Sequence, residues 1–159
     1  MSTIINASSE LHYRAGALLF KEYADSLDFT LSFQDFEKEL GILPKMYGAP
    51  TGALLLVELN GEYVGAVGLR QIENPSTCEI KRMYIKPEFQ GKGIGKSLME
   101  QILSMARTLQ YKTVKLDTLG PKMPAAVGLY KSFGFIETLP YNFNPHQGVL
   151  YFEKNLVPG

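Results

Sequence analysis

The sequence predicts an α+β fold in which helices pack on a sheet of mixed strand direction. Two extended apolar runs, residues 52–59 and 63–72, flank Asn60-Gly61, a dipeptide that favours a two-residue hairpin turn. A third run, Thr77–Ile85, is followed by a glycine-rich turn and then by a helical pattern. A meander followed by a strand–helix–strand crossover needs both antiparallel and parallel neighbours in one sheet.

The first part of the chain reads as a strand and two helices. Thr3–Ala7 predicts a short strand, and Leu11–Leu27 predicts a helix capped by Ser8 or Ser9. A second helix is expected over residues 32–41, followed by a loop over residues 44–52. The apolar stripes expected to face the core are Leu11, Ala15, Leu18, Leu19 and Tyr23 in the first helix, and Phe33, Phe36 and Leu40 in the second.

The second part of the chain supplies a long helix and the remaining strands. The long helix begins at the glycine-rich turn, and a strand over Thr113–Thr118 and a helix over Pro124–Phe133 follow it. Gly134–Thr138 and Gly148–Leu156 predict a final strand pair. The predicted order is β-α-α-β-β-β-α-β-α-β-β. The long helix has the apolar face Ile94, Leu98, Ile102, Met105 and Leu109.

Composition indicates one globular domain over residues 1–159. The chain is 45% hydrophobic and 20% charged, which allows a sizeable core. We expect a cytoplasmic protein, because no apolar run approaches the ~20 residues of a membrane span and the N-terminus lacks a signal-peptide pattern. The single cysteine, Cys78, excludes a disulfide framework, and the distant His12 and His146 make a metal site unexpected.

The stretch QGKGIGKS, which begins at Gln90, predicts an anion-binding turn. A nucleotide P-loop would need Gly where Gln90 stands, and a dinucleotide fingerprint that begins at Gly91 and Gly93 would need Gly in place of Lys96. What remains is Q-x-x-G-x-G, a tight turn into a helix whose first backbone N–H groups face an anion. The alternative is an ordinary strand-to-helix turn, which the three glycines and two lysines make less favoured.

The net charge is zero, but the charge is unevenly distributed. Residues 81–131 hold ten Lys/Arg and three Asp/Glu, which favours a polyphosphate ligand beside the glycine turn. Residues 1–80 hold eleven acidic and five basic residues, which suits a cationic second ligand. The balanced total argues against a nucleic-acid partner. The acidic residues considered for the second ligand are Glu22, Asp25, Asp28, Asp35, Glu37 and Glu39.

Two motifs in register on the predicted elements resemble those of the GCN5-related N-acetyltransferases (GNAT). Q-x-x-G-x-G follows a strand, and A-x-x-L-Y-x-x-x-G-F follows a strand that ends in DTL. The element order is similar from about residue 3 to residue 156, and the stronger motif portion covers residues 79–135. The resemblance implies a three-layer α/β/α fold with a mixed, splayed central sheet. The second motif consists of Ala126, Leu129, Tyr130, Gly134 and Phe135.

The resemblance also implies an activity: transfer of an acetyl group from acetyl-coenzyme A to a primary amine, on a small molecule or peptide, directly within a ternary complex. A different class remains open, in which the fold binds acyl-coenzyme A as a sensor or regulatory module without turnover. A nucleotide-phosphate binder is the third reading. No membrane partner is expected, and homodimers are frequent in the family.

The resemblance assigns the cofactor site to the glycine turn and to two strands that part beside it. The turn would hold the diphosphate, and the pantetheine arm would enter between the strands and pair with exposed backbone. Met123 stands where the family often has Asn. The cofactor-binding residues implied are Met83, Tyr84, Ile85, Gln90, Gly91, Lys92, Gly93, Ile94, Gly95, Lys96, Met123 and Ala126.

The resemblance places Tyr130 at the position of the general acid and Glu79 at that of the general base. An amine with a pKa near 10.4 is mostly protonated at neutral pH, so a general base is needed to remove a proton before the nitrogen can attack. Cys78 is expected to be a buried apolar residue and not a nucleophile. The acceptor site would draw on Phe29, Phe33, Tyr47 and Tyr141, with Asn142, Asn144 and His146 as further candidates.

Overall fold

The computed structural model describes residues 2–27, 35–119, 124–145 and 148–156. Its strands are β1 (Ser2–Asn6), β2 (Ala53–Leu59), β3 (Glu62–Gln71), β4 (Thr77–Ile85), β5 (Thr113–Leu119), β6 (Ile136–Thr138) and β7 (Val149–Asn155). Its helices are α1 (Glu10–Ser26), α2 (Phe36–Gly41), α3 (Leu43–Met46), α4 (Ile94–Thr108) and α5 (Pro124–Ser132). None of the helices in these ranges has the length and apolar character needed to cross a bilayer.

The seven strands form one mixed sheet, as predicted. The order is β1-β2-β3-β4-β5-β7-β6, and every neighbouring pair is antiparallel except β4 and β5. The parallel pair is joined through α4, which is the predicted crossover. Helices α4 and α5 pack on one face and α1, α2 and α3 on the other, so the three-layer arrangement is confirmed.

The face beneath α4 holds the larger part of the core. Its helix stripe was predicted correctly at Ile94, Leu98 and Ile102, which are buried, while Met105 and Leu109 pack against the same core at its margin. These side chains contact apolar residues of β2, β3, β4 and β5. Burial of this stripe fixes α4 across the sheet and thereby fixes the turn that precedes it.

The prediction for the buried face of α1 was partly wrong. Leu11 and Leu18 are 71% and 67% exposed, whereas Leu19 is buried together with Gly16 and Phe20. A Cβ at Gly16 would stand 2.9 Å from the Leu54 side chain, so the missing side chain lets α1 lie close to the sheet on this face. The close approach turns the stripe containing Leu11 and Leu18 outward. At the helix start, the Ser9 hydroxyl accepts a hydrogen bond from the His12 backbone N–H.

The segment after α1 also differs from expectation. The predicted helix start at residue 32 lies outside the described residues, and α2 is described from Phe36, which is buried. Residues 43–46, which include the beginning of the predicted loop, form the short helix α3 instead. Pro44 stands in its first turn, where the missing backbone N–H costs no hydrogen bond.

A β-bulge interrupts β4 near its middle. Gly68 pairs with Lys81 and Ala66 pairs with Tyr84, so two residues of β4, Arg82 and Met83, lie opposite one residue of β3. Arg82 has φ of 58°, a left-handed backbone conformation that is strained for a residue other than glycine and persists where other contacts hold it. After the bulge, Tyr84 faces the same side of the sheet as Lys81.

Replacement of Gly68 by alanine should destabilise the fold. An added Cβ would stand 2.7 Å from two ring carbons of the fully buried Tyr47, so the ring would have to shift. We expect a loss of about 1–3 kcal/mol in the free energy of unfolding, measured with urea. Gly128→Ala is the control, since nothing lies within 4 Å of its added Cβ in α5 and helix propensity predicts a small gain. Equal effects of the two substitutions would contradict this packing.

Candidate active site

The site opens where β4 and β5 stop pairing. Three residue pairs join them, from Thr77–Thr113 to Glu79–Lys115, although β4 continues to Ile85 and β5 to Leu119. The backbone edges that face each other beyond this point therefore lack a strand partner. This is the splayed sheet that the family resemblance predicted.

The glycine turn lies at the end of β4 and leads into α4. Gly91 and Gly93 have φ of 79° and 82°, which glycine adopts without strain. A Cβ added at either glycine would meet nothing within 4 Å, so the space beside the turn is open. No side chain caps the N-terminus of α4, which begins after Gly93. The turn thus offers free backbone N–H groups and a helix dipole to an anion.

The side chains around the turn are of two kinds: Gln90 hydrogen-bonds the backbone of β4, and Lys92 and Lys96 are exposed cations. Gln90 donates from Nε2 to the Ile85 carbonyl at 2.9 Å and so ties the turn to the end of β4. Lys96 is exposed, and Lys92 lies with its ammonium 5.6 Å from the Phe89 ring centroid. A diphosphate bound by the turn would find two lysines within the same six residues.

Of the other predicted cofactor residues, three lie at the end of β4 and one lies on α5. Met83, Tyr84 and Ile85 are half-buried at the end of β4, and Ala126 of α5 packs at the margin of the core. Tyr84 donates its hydroxyl to Glu22 at 3.1 Å, and burial followed by this bond raises its pKa to about 12. Met123, Phe29, Phe33 and His146 lie outside the described residues.

Glu79 lies at the last β4–β5 pair and is completely buried. Its carboxylate accepts hydrogen bonds from Arg70 Nε at 3.0 Å and from the Tyr141 hydroxyl at 2.6 Å. Lys81 Nζ is 4.0 Å from the same carboxylate. Burial lowers the pKa of Lys81, and Glu79 acts against that shift. Because Tyr141 is only partly buried and is bonded to the buried Glu79, it lies between that carboxylate and solvent.

Tyr130 projects from α5 into the core side of the cleft. It is 8% exposed, and its ring centroid lies 6.0 Å from that of Phe135 and 6.4 Å from that of Phe152. Burial raises its pKa, and the negative charge of Asp117 adds to the shift. The phenol is therefore protonated at neutral pH and has a proton to donate.

Two further polar residues lie in the cleft: Asn142, which the sequence named as an acceptor candidate, and Asp117, for which it predicted no role. Asp117 lies on β5, two residues beyond the last β4–β5 pair, and accepts a hydrogen bond from Asn142 Nδ2 at 2.8 Å. The Oδ1 atom of Asn142 is buried and has no hydrogen-bond partner among the described residues. The sequence signal that could have identified Asp117 is its place in the DTL that ends β5, two residues beyond the last residue that pairs with β4.

The acidic residues of the N-terminal half are largely paired. Glu39 accepts two hydrogen bonds from the buried Arg82, both at 3.1 Å, and a third from the Tyr47 hydroxyl at 3.1 Å. Glu22 lies 3.6 Å from Lys86. Tyr47 is completely buried, so it supports the cleft from below and has no exposed surface to offer a ligand. Asn144 is half-buried in the loop after β6.

Residues 18–135 match the model of the Acetyltransferase (GNAT) family. An uncharacterized N-acetyltransferase of Schizosaccharomyces pombe is 38% identical over 140 residues, which are 87% of this chain and 85% of the yeast protein. The N-acetylaspartate synthetase of Danio rerio is 35% identical over 74% of this chain and 43% of its own length. The solved structure of yncA from Salmonella typhimurium, with its cofactor acetyl-CoA, has a TM-score of 0.72 at 18% identity and covers 100% of this chain and 96% of its own.

Removal of the buried guanidinium of Arg82 should be costly. Arg82→Ala leaves Glu39 charged and buried without its ion-pair partner, and we expect a loss of about 3–5 kcal/mol in the free energy of unfolding. Arg14→Ala is the control, since Arg14 pairs with Glu10 on the exposed face of α1 and should cost under about 1 kcal/mol. Urea unfolding curves for both variants measure the difference, and comparable losses would rule out a structural role for the Arg82 pair.

Cys78 should be unreactive in the folded protein. It is fully buried, and burial, followed by the nearby charge of Glu79, raises the pKa of its thiol to about 12. At pH 8 a disulfide reagent such as DTNB should label no protein thiol within minutes and one after denaturation in guanidinium. Free coenzyme A in a parallel sample confirms that the reagent is active. Rapid labelling of the native protein would show that the thiol is accessible.

Proposed function

Because the chain belongs to the Acetyltransferase (GNAT) family, we propose that it moves an acetyl group from acetyl-coenzyme A to a primary amine, on a small molecule or peptide, by direct transfer in a ternary complex. The observation that carries the proposal is the parting of β4 and β5 beside the uncapped start of α4. A backbone edge for the pantetheine amides and a cradle of N–H groups for the diphosphate meet there.

The coenzyme supplies an activated acetyl thioester, and the chain holds it at two places. The turn from Gly91 to Lys96 binds the diphosphate through backbone N–H groups, with Lys92 and Lys96 adding positive charge. Gln90 keeps the turn in place through its bond to Ile85. The backbone of β4 at Met83–Ile85 and of β5 beyond Lys115, together with Ala126, contacts the pantetheine.

Two groups move protons in this proposal. Tyr130 donates its phenolic proton to the sulfur as the C–S bond breaks and the amide C–N bond forms. Glu79 receives a proton from the attacking nitrogen through the hydroxyl of Tyr141, since the buried carboxylate itself has no exposed surface. An acceptor that arrives as an ammonium ion loses two protons, of which one ends on the thiol and one reaches solvent.

We place free amino acids first among the acceptors, with L-aspartate the first to test. A relative with 35% identity carries the name N-acetylaspartate synthetase. Asp117 supplies a negative charge for the amino group, and the cations nearest the proposed base, Arg70 and Lys81, already face Glu79. A purely cationic acceptor, which the acidic N-terminal half suggested, is less favoured because Glu39 and Glu22 are already paired with Arg82 and Lys86.

The decisive measurement is thiol release from acetyl-coenzyme A with a panel of amino acids, polyamines and peptide N-termini. Tyr130→Phe should lower kcat by about 10²–10⁴-fold, because the leaving sulfur loses its proton donor, while the Kd for acetyl-coenzyme A changes little. Tyr63→Phe, which removes a hydroxyl from the tyrosine whose ring packs edge-on to His12, should keep full activity. Binding of the coenzyme without thiol release from any amine would favour the sensor instead.

A further inference from the structure

We propose that Asp117 and Asn142 bind the amino group of the acceptor and hold its nitrogen between the Glu79–Tyr141 pair and Tyr130. The inference rests on the proposed acetyl transfer and assigns a specific role to Asp117, which the sequence analysis did not name, and to Asn142, which it named only as a further candidate of the acceptor site. It is carried by the position of Asp117, by the reach of its charge and by the unsatisfied oxygen of Asn142.

The position of Asp117 is set by β5. It follows Lys115, the last residue paired with β4, by two positions, so both side chains point to the same face of the sheet. On that face Lys115 Nζ lies 5.5 Å from the ring centroid of Tyr141. Across β7, Asp117 pairs with Tyr151, whose ring stands edge-on to Tyr141 at 5.4 Å. Asp117 therefore shares the open end of the cleft with Tyr141.

The negative charge of Asp117 reaches groups on both sides of this position. Burial raises the pKa of Tyr130 on α5 and of Tyr141 in the loop after β6, and Asp117 adds to both shifts. It also acts against the lowering by burial of the pKa of Lys81 on β4. Asp117 is therefore near enough to the proposed acid, and to the hydroxyl bonded to the proposed base, for its charge to act on both, and we place the reacting nitrogen beside it.

Asn142 completes the pair. Its Nδ2 donates to Asp117, which fixes the orientation of the side-chain amide. The Tyr151 hydroxyl donates to the backbone carbonyl of Asn142 at 3.4 Å. Its Oδ1 is left as a buried acceptor without a donor among the described residues, an unfavourable state that a ligand can relieve. An ammonium group has three N–H donors, so one can reach Asp117 while another reaches Asn142 Oδ1.

This arrangement explains how an amine could be captured in its abundant form. At neutral pH a primary amine with a pKa near 10.4 is protonated in roughly a thousandfold excess over the free base. A carboxylate and an amide oxygen bind the ammonium form, and the proton leaves after binding through the Tyr141 hydroxyl, which is bonded to Glu79. An alcohol of the same skeleton has one O–H donor and no charge, and cannot satisfy both oxygens.

The test compares Asp117→Asn with wild type, using the fastest amine of the panel and the alcohol of the same skeleton, which for L-aspartate is L-malate. The asparagine keeps an oxygen that can accept from Asn142 but removes the charge. We expect the KM for the amine to rise at least about tenfold, from loss of a charged hydrogen bond, with the Kd for acetyl-coenzyme A within about twofold. The preference for the amine over the alcohol, measured as the ratio of the inhibition constant of the alcohol to the KM of the amine, should largely disappear. Asn142→Ala should raise the KM in the same direction.

Glu10→Gln is the matched control, because it also removes one carboxylate charge but on the exposed face of α1, where Glu10 pairs with Arg14 at 2.7 Å. It should leave the KM and the amine-to-alcohol preference unchanged. If Asp117→Asn keeps both values, the inference is overturned, even if the variant melts at a lower temperature, since a structural role alone would produce only that.

Failure of the proposed function is a separate outcome. If wild type releases no thiol with any amine, calorimetric titration of L-aspartate into the protein saturated with coenzyme A still tests the subsite. Weaker binding by Asp117→Asn than by wild type would support the subsite without turnover. Equal binding by the two proteins, or no binding to wild type, would overturn it.

Discussion

The parting of two parallel strands after three residue pairs is the constraint on which the whole site depends. A parallel pair in a sheet interior normally keeps its hydrogen bonds along its length, because unpaired backbone groups are costly when buried. Here the pairing of β4 and β5 ends after Glu79 and Lys115. The edges thus exposed are ready to bind a chain-like ligand, and the polar side chains gather at the same point.

Buried charge holds the other side of β4 in place. Arg82 is kept in a left-handed conformation by two hydrogen bonds to Glu39 and by the Phe36 ring, whose centroid lies 5.2 Å away. The pair joins the bulge of β4 to α2, and Tyr47 completes it from α3's end. Desolvating two ions is expensive, so this contact contributes more to a unique position for β4 than to net stability.

The sequence was informative where a local requirement has a residue signature. The left-handed turn before α4 needs glycines, the hairpin at Asn60-Gly61 needs its dipeptide, and α4 shows its buried stripe with a helical period. Predictions from the sequence were wrong where contacts with neighbouring elements determine the local structure. Helical spacing predicted Leu11 and Leu18 on the buried face of α1, but the close approach at Gly16 selects a different stripe. Pro44 was predicted to begin a loop, although it lies in the first turn of α3. Contacts such as Asp117 with Asn142 join residues 25 apart, across elements of no shared pattern.

The extra residue in β4 sets which side chains the later part of that strand shows to α1. Because Arg82 and Met83 together occupy the space of one residue, the alternation is reset, and Tyr84 faces the same side of the sheet as Lys81 and Glu79, where it bonds Glu22 of α1. A strand of the same length without the bulge would instead present Met83 to α1 and turn Tyr84 into the layer beneath α4. The bulge is therefore as much a part of the shape of this cleft as the identity of its residues, and an alignment that closes a gap there would pair side chains that never share a face.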